Sequence, residues 1–318
     1  MKKKKIVVIG GGNGSAVVLV SLKHHVDKFN FSAVISMSDS NGSSGRLRRE
    51  LSTLPPGDIM RAVLATSIYD YTTLRNIFYT PRFKGCGRLD THNFGNLFLT
   101  LCTRYGGNFI DSLKAFSESV SAQGQVFPVT LEQVDLAAKL SNGEIIHTEG
   151  FIDIPGYNRG WKIEKVWLEP RCRAYAPALA AIKTADYILL APGSLYTSLV
   201  ATLLPIGIRL AIEKSKAKII YIAGNAFRTD GETGPERLSD FVSQLEKYLP
   251  RSLDVVIYNS HVPRGKEEKK FYQEKKWGLI EFDKENLEKH KIISRDLEKC
   301  GGGMCDIKLG GLLKTILK

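Results

Sequence analysis

Two glycine-rich turns near the amino terminus carry the residue types from which an anion site is made. Gly10, Gly11, Gly12, Asn13 and Gly14 follow a short apolar strand at 6–9 and precede a helix that reads from about Ser15. Glycines in that position let backbone N–H groups and a helix N-terminus close on a phosphate at the carboxyl end of a strand. A second strand at 31–37 runs into Ser38-Asp39-Ser40-Asn41-Gly42-Ser43-Ser44-Gly45-Arg46, whose hydroxyls and guanidinium form a second set of anion donors. Both turns follow strands, so they are expected side by side at one sheet edge, enclosing one pocket.

The first turn imitates a dinucleotide fingerprint without meeting it. Read from Gly10, the pattern GxGxxG needs glycine or alanine at 15 and finds Ser15, although Asp39 stands where an NAD enzyme keeps its ribose-binding acid. The order GxxxxGK[ST] of a nucleotide-hydrolysing P-loop is absent. Three further stretches carry polar groups at element ends. In Pro192-Gly193-Ser194-Leu195-Tyr196-Thr197-Ser198, Ser194 either caps the next helix or meets a ligand, and it is not in a GxSxG elbow. His92-Asn93-Phe94-Gly95-Asn96 puts an imidazole and two amides at a helix start, where Gly95 and Asn96 are poor helix formers. The loop holding Asn225, Thr229 and Glu232 reads as a specificity loop or a solvated turn. None of these stretches contains a recognisable nucleophile–base pair.

The elements that must position these groups alternate. Asp58 opens a helix at 59–67 and is suited to an N-cap. Helices at 71–79, 93–105 and 109–121 form a helical block, interrupted by an aperiodic loop at 81–92 with Arg82, Lys84 and Arg88. Short strands are expected at 125–130, 134–140 and 144–149, the last two joined by Asn142-Gly143, a hairpin turn. Helix 174–185, strand 187–190, helix 199–214, strand 218–222, helix 236–248 and strand 253–258 follow. The fold class is therefore α/β: a mainly parallel sheet with helices on both faces, plus the helical block and a small antiparallel β-hairpin insertion at about 68–170 of a single domain.

Composition limits the partners. The 318 residues are 43% hydrophobic and 25% charged, ordinary for a globular domain. The net charge of +12 is scattered over residues 2–5, 264–276 and the carboxyl end, which reads as a solvated surface and not a nucleic-acid face. Five cysteines show no CxxC pair, so reduced thiols are expected. No apolar run approaches the ~18 residues of a membrane span, and the amino-terminal one ends too soon for a signal peptide. These readings place the chain in the cytoplasm without membrane insertion.

Taken together, GGGNG at 10–14, DSNGSSGRLRREL at 39–51, LPPGD at 54–58, HNFGNL at 92–97, ADYILLAPGSLYTS at 185–198 and the N…T.GET pattern at 225–233 resemble the YvcK-like gluconeogenesis factors, in the superfamily of the 2-phospho-L-lactate transferase CofD. The likeness spans roughly residues 5–260. It implies a Rossmann-like core, a homodimer or higher homo-oligomer, and binding of a nucleotide sugar such as UDP-N-acetylglucosamine or a related phosphorylated small molecule, with roles in carbon metabolism, cell shape and envelope synthesis. By motif position, Gly11, Gly12, Asn13 and Gly14, with Gly193, Ser194, Leu195 and Thr197, would meet phosphate. Asp39, Asp58, Asn93, Asn96 and Asn225 would meet sugar, base or a metal, and Ser43, Ser44, Gly45, Arg46, His92, Thr229 and Glu232 complete the candidate ligand set. The enzyme alternative is the transferase sister group, which moves a lactyl-phosphate group to a deazaflavin. It would need Mg²⁺ through Asp39, with Asp39 and Asp58 as candidate catalytic groups.

Overall fold

The computed structural model describes residues 3–81 and 83–318. Arg82, one of the three basic residues read in the 81–92 loop, and Lys2 of the basic amino terminus lie outside the described residues.

Seven strands form one parallel sheet: β1 (Lys4–Gly10), β2 (Phe29–Ile35), β3 (Gln125–Pro128), β7 (Tyr187–Leu190), β8 (Lys218–Ala223), β10 (Val255–Asn259) and β12 (Lys291–Arg295), in the order β12-β10-β8-β7-β1-β2-β3. Residues 6–10 of β1 and all of β7 are buried. Successive strand residues point to opposite faces, so unbroken burial means that both faces are covered. The chain steps outward from β1 to β2 and β3, then returns to add β7, β8, β10 and β12 on the other side of β1. That reversal makes the β1–β7 gap a topological switch point, where an open α/β sheet leaves a crevice beyond its carboxyl ends. The glycine turn after β1 sits there.

The helices expected from the sequence are present: α1 (Gly12–Lys23), α2 (Gly42–Leu51), α3 (Gly57–Thr66), α4 (Tyr71–Phe78), α5 (Phe94–Gly106) and α6 (Phe109–Ser119). Asn93 caps α5, its Oδ1 accepting the Asn96 N–H at 2.8 Å. Asp58 does not cap α3; Pro56 is the N-cap and Asp58 lies in the first turn. The polar run 42–46, part of the turn expected after the second strand, is itself the first half of α2.

The insertion holds more than a hairpin. The strands β4 (Asp135–Leu140) and β5 (Ile145–His147) pair as the Asn-Gly turn requires, and β6 (Ile163–Glu169) adds to the other edge of β4. The strand expected to reach 149 ends at His147, and a short helix α7 (Glu149–Asp153) follows it. The helix expected over 199–214 is broken at Leu204–Ile206, where Pro205 lacks the N–H a helix needs. Helical structure begins earlier than expected, at Leu195, and its first turn, Leu195–Val200, is a π-helix. Beyond Tyr258, β11 (Trp277–Leu279) pairs antiparallel with β9 (Ala226–Arg228), and the carboxyl-terminal helix Asp306–Ile316 packs on α1, where a Cβ on Gly310 would lie 2.8 Å from the Ser21 carbonyl oxygen. Among the described residues no helix is long and apolar enough to cross a membrane.

Candidate functional site

A cleft of about 1600 Å³ runs along the carboxyl edge of the parallel sheet. Because β1, β2, β7, β8 and β10 are parallel, the turns after them all open toward it. Gly11, Gly12, Asn13 and Gly14 form its middle, beside Gly193, Ser194, Leu195 and Thr197. Asp39, Ser43, Ser44 and Asp58 line it past β2, Asn93 and Asn96 come from α5, and Asn225 and Glu232 come from the loop after β8. Four of the expected residues stand elsewhere. Gly45, Arg46, His92 and Thr229 are not on the cleft wall, which lies on their neighbours.

Each of those four has a structural task. A Cβ on Gly45 would lie 1.8 Å from the Ser40 carbonyl oxygen, so this glycine permits α2 to start tightly against the β2 turn. Arg46 points away from the cleft and donates to the carbonyls of Asp90 and Arg88 at 2.6 and 2.7 Å, holding the 88–91 segment. Burial and the charge of Arg46 keep His92 below the usual imidazole range, and its Nδ1 lies 2.7 Å from Ser43 Oγ. Thr229 pairs with the Lys276 carbonyl through both its N–H and its hydroxyl.

Two helix N-termini face the middle of the cleft. Gly11 caps α1 and Asn41 caps α2, and neither uses a side chain to do so. The first-turn N–H groups of both helices are therefore open to an anion. The Asp39 turn is braced from behind by Arg48, whose guanidinium donates to the carbonyls of Ser38, Asp39 and Val134 and pairs with Asp135 at 3.1 Å.

The third turn differs from its expected role. The N–H groups of Tyr196 and Thr197, 3.1 and 3.0 Å away, donate to the carboxylate of Glu232, so the chain's own acid occupies this cradle. Burial lifts the Glu232 carboxyl to about 7 despite these hydrogen bonds. The same loop ties down the insertion: Ile163 N donates to the Thr233 carbonyl, and Tyr157 and Thr233 share a hydroxyl contact of 3.0 Å.

Three groups on the cleft wall went unread in the sequence. Arg61, 8% exposed, pairs with Asp58 at 3.4 Å, hydrogen-bonds the Tyr79 hydroxyl and stacks over the Tyr79 ring. Its signal was the i,i+3 spacing from Asp58, which puts both on one helix face. Glu149 and Asp153 arrive on α7, and no local pattern announces them because only the folding of the insertion delivers them. Glu149 accepts from the Ser40 N–H at 3.3 Å, Gly150 N donates to Ser40 Oγ at 2.8 Å, and Asp153 pairs with Arg228 at 2.9 Å. Burial, followed by the charges of Asp39 and Asp153, raises Glu149 to about 9. Burial and the Asp58 charge likewise raise Asp39 to about 6, against the Asn41 N–H that favours its ionised form. The cleft thus joins anion-receiving N–H groups at its middle to proton-holding carboxyls on its β2 side.

Comparison with known proteins agrees with this architecture. The family model for 2-phospho-L-lactate transferase CofD matches residues 6–297. A Bacillus subtilis protein named gluconeogenesis factor is 34% identical over 309 residues, 92% of this chain and 94% of its own. A Listeria monocytogenes protein of the same name is 34% identical over 246 residues, 77% of this chain and 74% of its own. The crystal structure of a Bacillus halodurans protein superposes with a TM-score of 0.88 at 31% identity, covering all of both chains. The chain therefore belongs to the CofD family, among its gluconeogenesis factors.

Proposed function

We propose that this protein is a cytoplasmic regulator of central carbon metabolism, with roles in cell shape and envelope synthesis, that binds a nucleotide sugar of the UDP-N-acetylglucosamine type in the cleft. The observation that carries the reading is the meeting of two helix N-termini that have no side-chain cap hydrogen bond with Asp39, Asp58 and Asn93 in one crevice. The N–H groups suit a diphosphate, and the carboxyls and amides suit sugar hydroxyls. The gluconeogenesis-factor name of the relatives supports the metabolic role. A thermal-shift panel of UDP-sugars, free nucleotides and NAD(P) tests it, because a ligand specific to the folded state raises the melting temperature. UDP-N-acetylglucosamine is expected to stabilise the protein, and stabilisation by NAD(P) alone would reject the reading.

Arg46 separates this pocket from the one expected from the sequence. Arg46→Ala should leave the calorimetric Kd for UDP-N-acetylglucosamine within about twofold, since the guanidinium faces the 88–91 segment. It should lower stability by about 1–2 kcal/mol through the lost charge-assisted hydrogen bonds. A tenfold loss of affinity would place Arg46 at the ligand after all.

A second reading, transfer of a lactyl-phosphate group, draws on the closeness of Asp39 to Asp58, seen in the upward push of the Asp58 charge on Asp39. Among the described residues no group of three or more His, Cys, Asp or Glu side chains forms a metal site. Two carboxylates nonetheless fit a Mg²⁺ that takes its remaining ligands from substrate phosphates and water. Turnover of a nucleotide-activated phospholactate with a deazaflavin, abolished by Asp39→Ala, would establish this activity. Ligand binding without turnover would exclude it.

A further inference from the structure

The cleft wall past β2 carries a hydroxyl that a base addresses from behind. Ser43 is half-buried on that wall, and its Oγ lies 2.7 Å from Nδ1 of His92. No single stretch of the sequence holds this pair, because the two residues stand 49 apart and meet only when the segment 88–92 docks on α2. The neighbouring hydroxyl is not equivalent. Ser44 Oγ accepts the Gly57 N–H at 3.1 Å and gives its proton to the Asp39 carboxylate, so it is tied into the fold.

The base is held by groups that do not touch the cleft. Arg46 fixes the carbonyls of Arg88 and Asp90 and Thr91 Oγ1, the His92 N–H donates to the Leu89 carbonyl at 3.1 Å, and Asn93 caps α5 directly after it. His92 is 2% exposed, so bulk water does not compete for the ring. Burial first, and then the Arg46 charge, disfavour the imidazolium against the pull of Glu50. A neutral imidazole can take a proton. The surroundings of Ser43 suit electrophilic phosphorus. It lies in the first turn of α2, whose cap has no side-chain hydrogen bond, so backbone N–H groups face the charge that grows on phosphoryl oxygens. The run Asn41-Gly42-Ser43-Ser44-Gly45 departs from the nucleophile pattern G-x-S-x-G only at its first position.

We propose that Ser43 is a nucleophile toward a phosphoric anhydride, with His92 as its general base. Ser43 Oγ attacks phosphorus and forms an Oγ–P bond while its proton passes to His92 Nδ1. The bond from phosphorus to the bridging oxygen breaks. Its electron pair leaves with the departing phosphate, which is already an anion and needs no proton. The product is a phosphoryl ester on the first turn of α2. The substrate class rests on the diphosphate of the nucleotide-sugar reading above, whereas the reactivity of the pair can be measured without it.

Diisopropyl fluorophosphate, a neutral compound with electrophilic phosphorus and fluoride as its leaving group, reads the pair on the full chain by intact mass and peptide mapping. One adduct per chain, on Ser43, is expected. Ser43→Ala should abolish it. His92→Gln, which keeps a polar partner for the hydroxyl without the basicity, should slow it at least about a hundredfold. In the parent the rate should rise as His92 loses its proton and level off below the usual imidazole value of ~6.5. That profile needs no variant, so it decides the matter even if His92→Gln folds poorly. No adduct, an adduct on Ser44 or elsewhere, an unchanged rate in His92→Gln, or a rate that climbs in proportion to hydroxide without levelling overturns the proposal. UDP-N-acetylglucosamine should protect Ser43 from the reagent. Labelling of Ser43 that it does not slow overturns the nucleotide-sugar reading and leaves the Ser43–His92 nucleophile standing.

Discussion

Gly14→Ala is expected to unfold the protein at growth temperature or to lower its stability by at least about 3 kcal/mol, with ligand binding lost. A Cβ at this position would lie 1.6 Å from the carbonyl oxygen of Pro192 and 2.6 Å from its carbon. Neither atom belongs to a side chain that can swing aside. The turn after β1 and the turn after β7 would have to separate, and they are joined by a parallel ladder from Ile6↔Tyr187 to Ile9↔Leu190. Forced overpacking in a well-ordered region costs about 1–3 kcal/mol even when side chains can adjust, and backbone against backbone leaves no such route. Gly311→Ala is the matched control. It sits in the carboxyl-terminal helix with nothing within 4 Å of a Cβ. It should be neutral or stabilising by up to about 1 kcal/mol, as helix propensity favours alanine. Calorimetric melting of the two variants checks the pair, and equal melting temperatures would show that the Gly14–Pro192 approach is not a constraint on the fold.

The second large effect is a dependence of stability on pH. Glu149 is raised to about 9, Glu232 to about 7 and Asp39 to about 6, in each case first by burial. Carboxyls of the unfolded chain titrate near 4. A folded-state pKa raised above the unfolded one means that the native protein holds the proton more tightly. The associated stability is complete below about pH 4 and is lost as pH rises through the folded values. The protein without ligand should therefore melt at progressively lower temperature between about pH 5 and pH 9.

Glu149→Gln isolates the largest of these contributions. The amide keeps the shape of the side chain and removes its charge. At pH 8 the variant should be more stable than the parent by about 1–3 kcal/mol, a few degrees for a chain of this size, and at pH 5 the two should nearly coincide. The figure is held well below the full shift because Glu149 keeps some contact with solvent. A constant difference between parent and variant across this range would mean that Glu149 titrates as an ordinary carboxylate.

Much of the candidate site was legible because its parts are local. A glycine turn after an apolar strand, an Asn at a helix start and an Asn-Gly hairpin are each decided by a few neighbouring residues. The capping of α5 by Asn93 and the pairing of β4 with β5 show the local rule carried into the fold. What a single stretch does not show is how two segments distant in sequence compete for one polar group. Ser194 to Thr197 read as a ligand cradle because the turn after β7 has that form, but Glu232, 35 residues from Thr197, occupies its N–H groups. Arg46 read as an anion ligand because it follows Ser43 and Ser44, but the carbonyls of Arg88 and Asp90 take its guanidinium.

By itself the sequence determined the α/β class, the parallel alternation of strands and helices, and the glycine turn that opens the cleft, since hydrophobic period and glycine placement act over a single turn or strand. Tertiary structure alone decided which charges face one another. The insertion carries Glu149 to the Asp39 turn and Asp153 to Arg228, and the pairing of β9 with β11 brings Trp277 to Phe227 across 50 residues of chain. Burial and mutual approach set the protonation of these groups, and neither exists until the segments have packed.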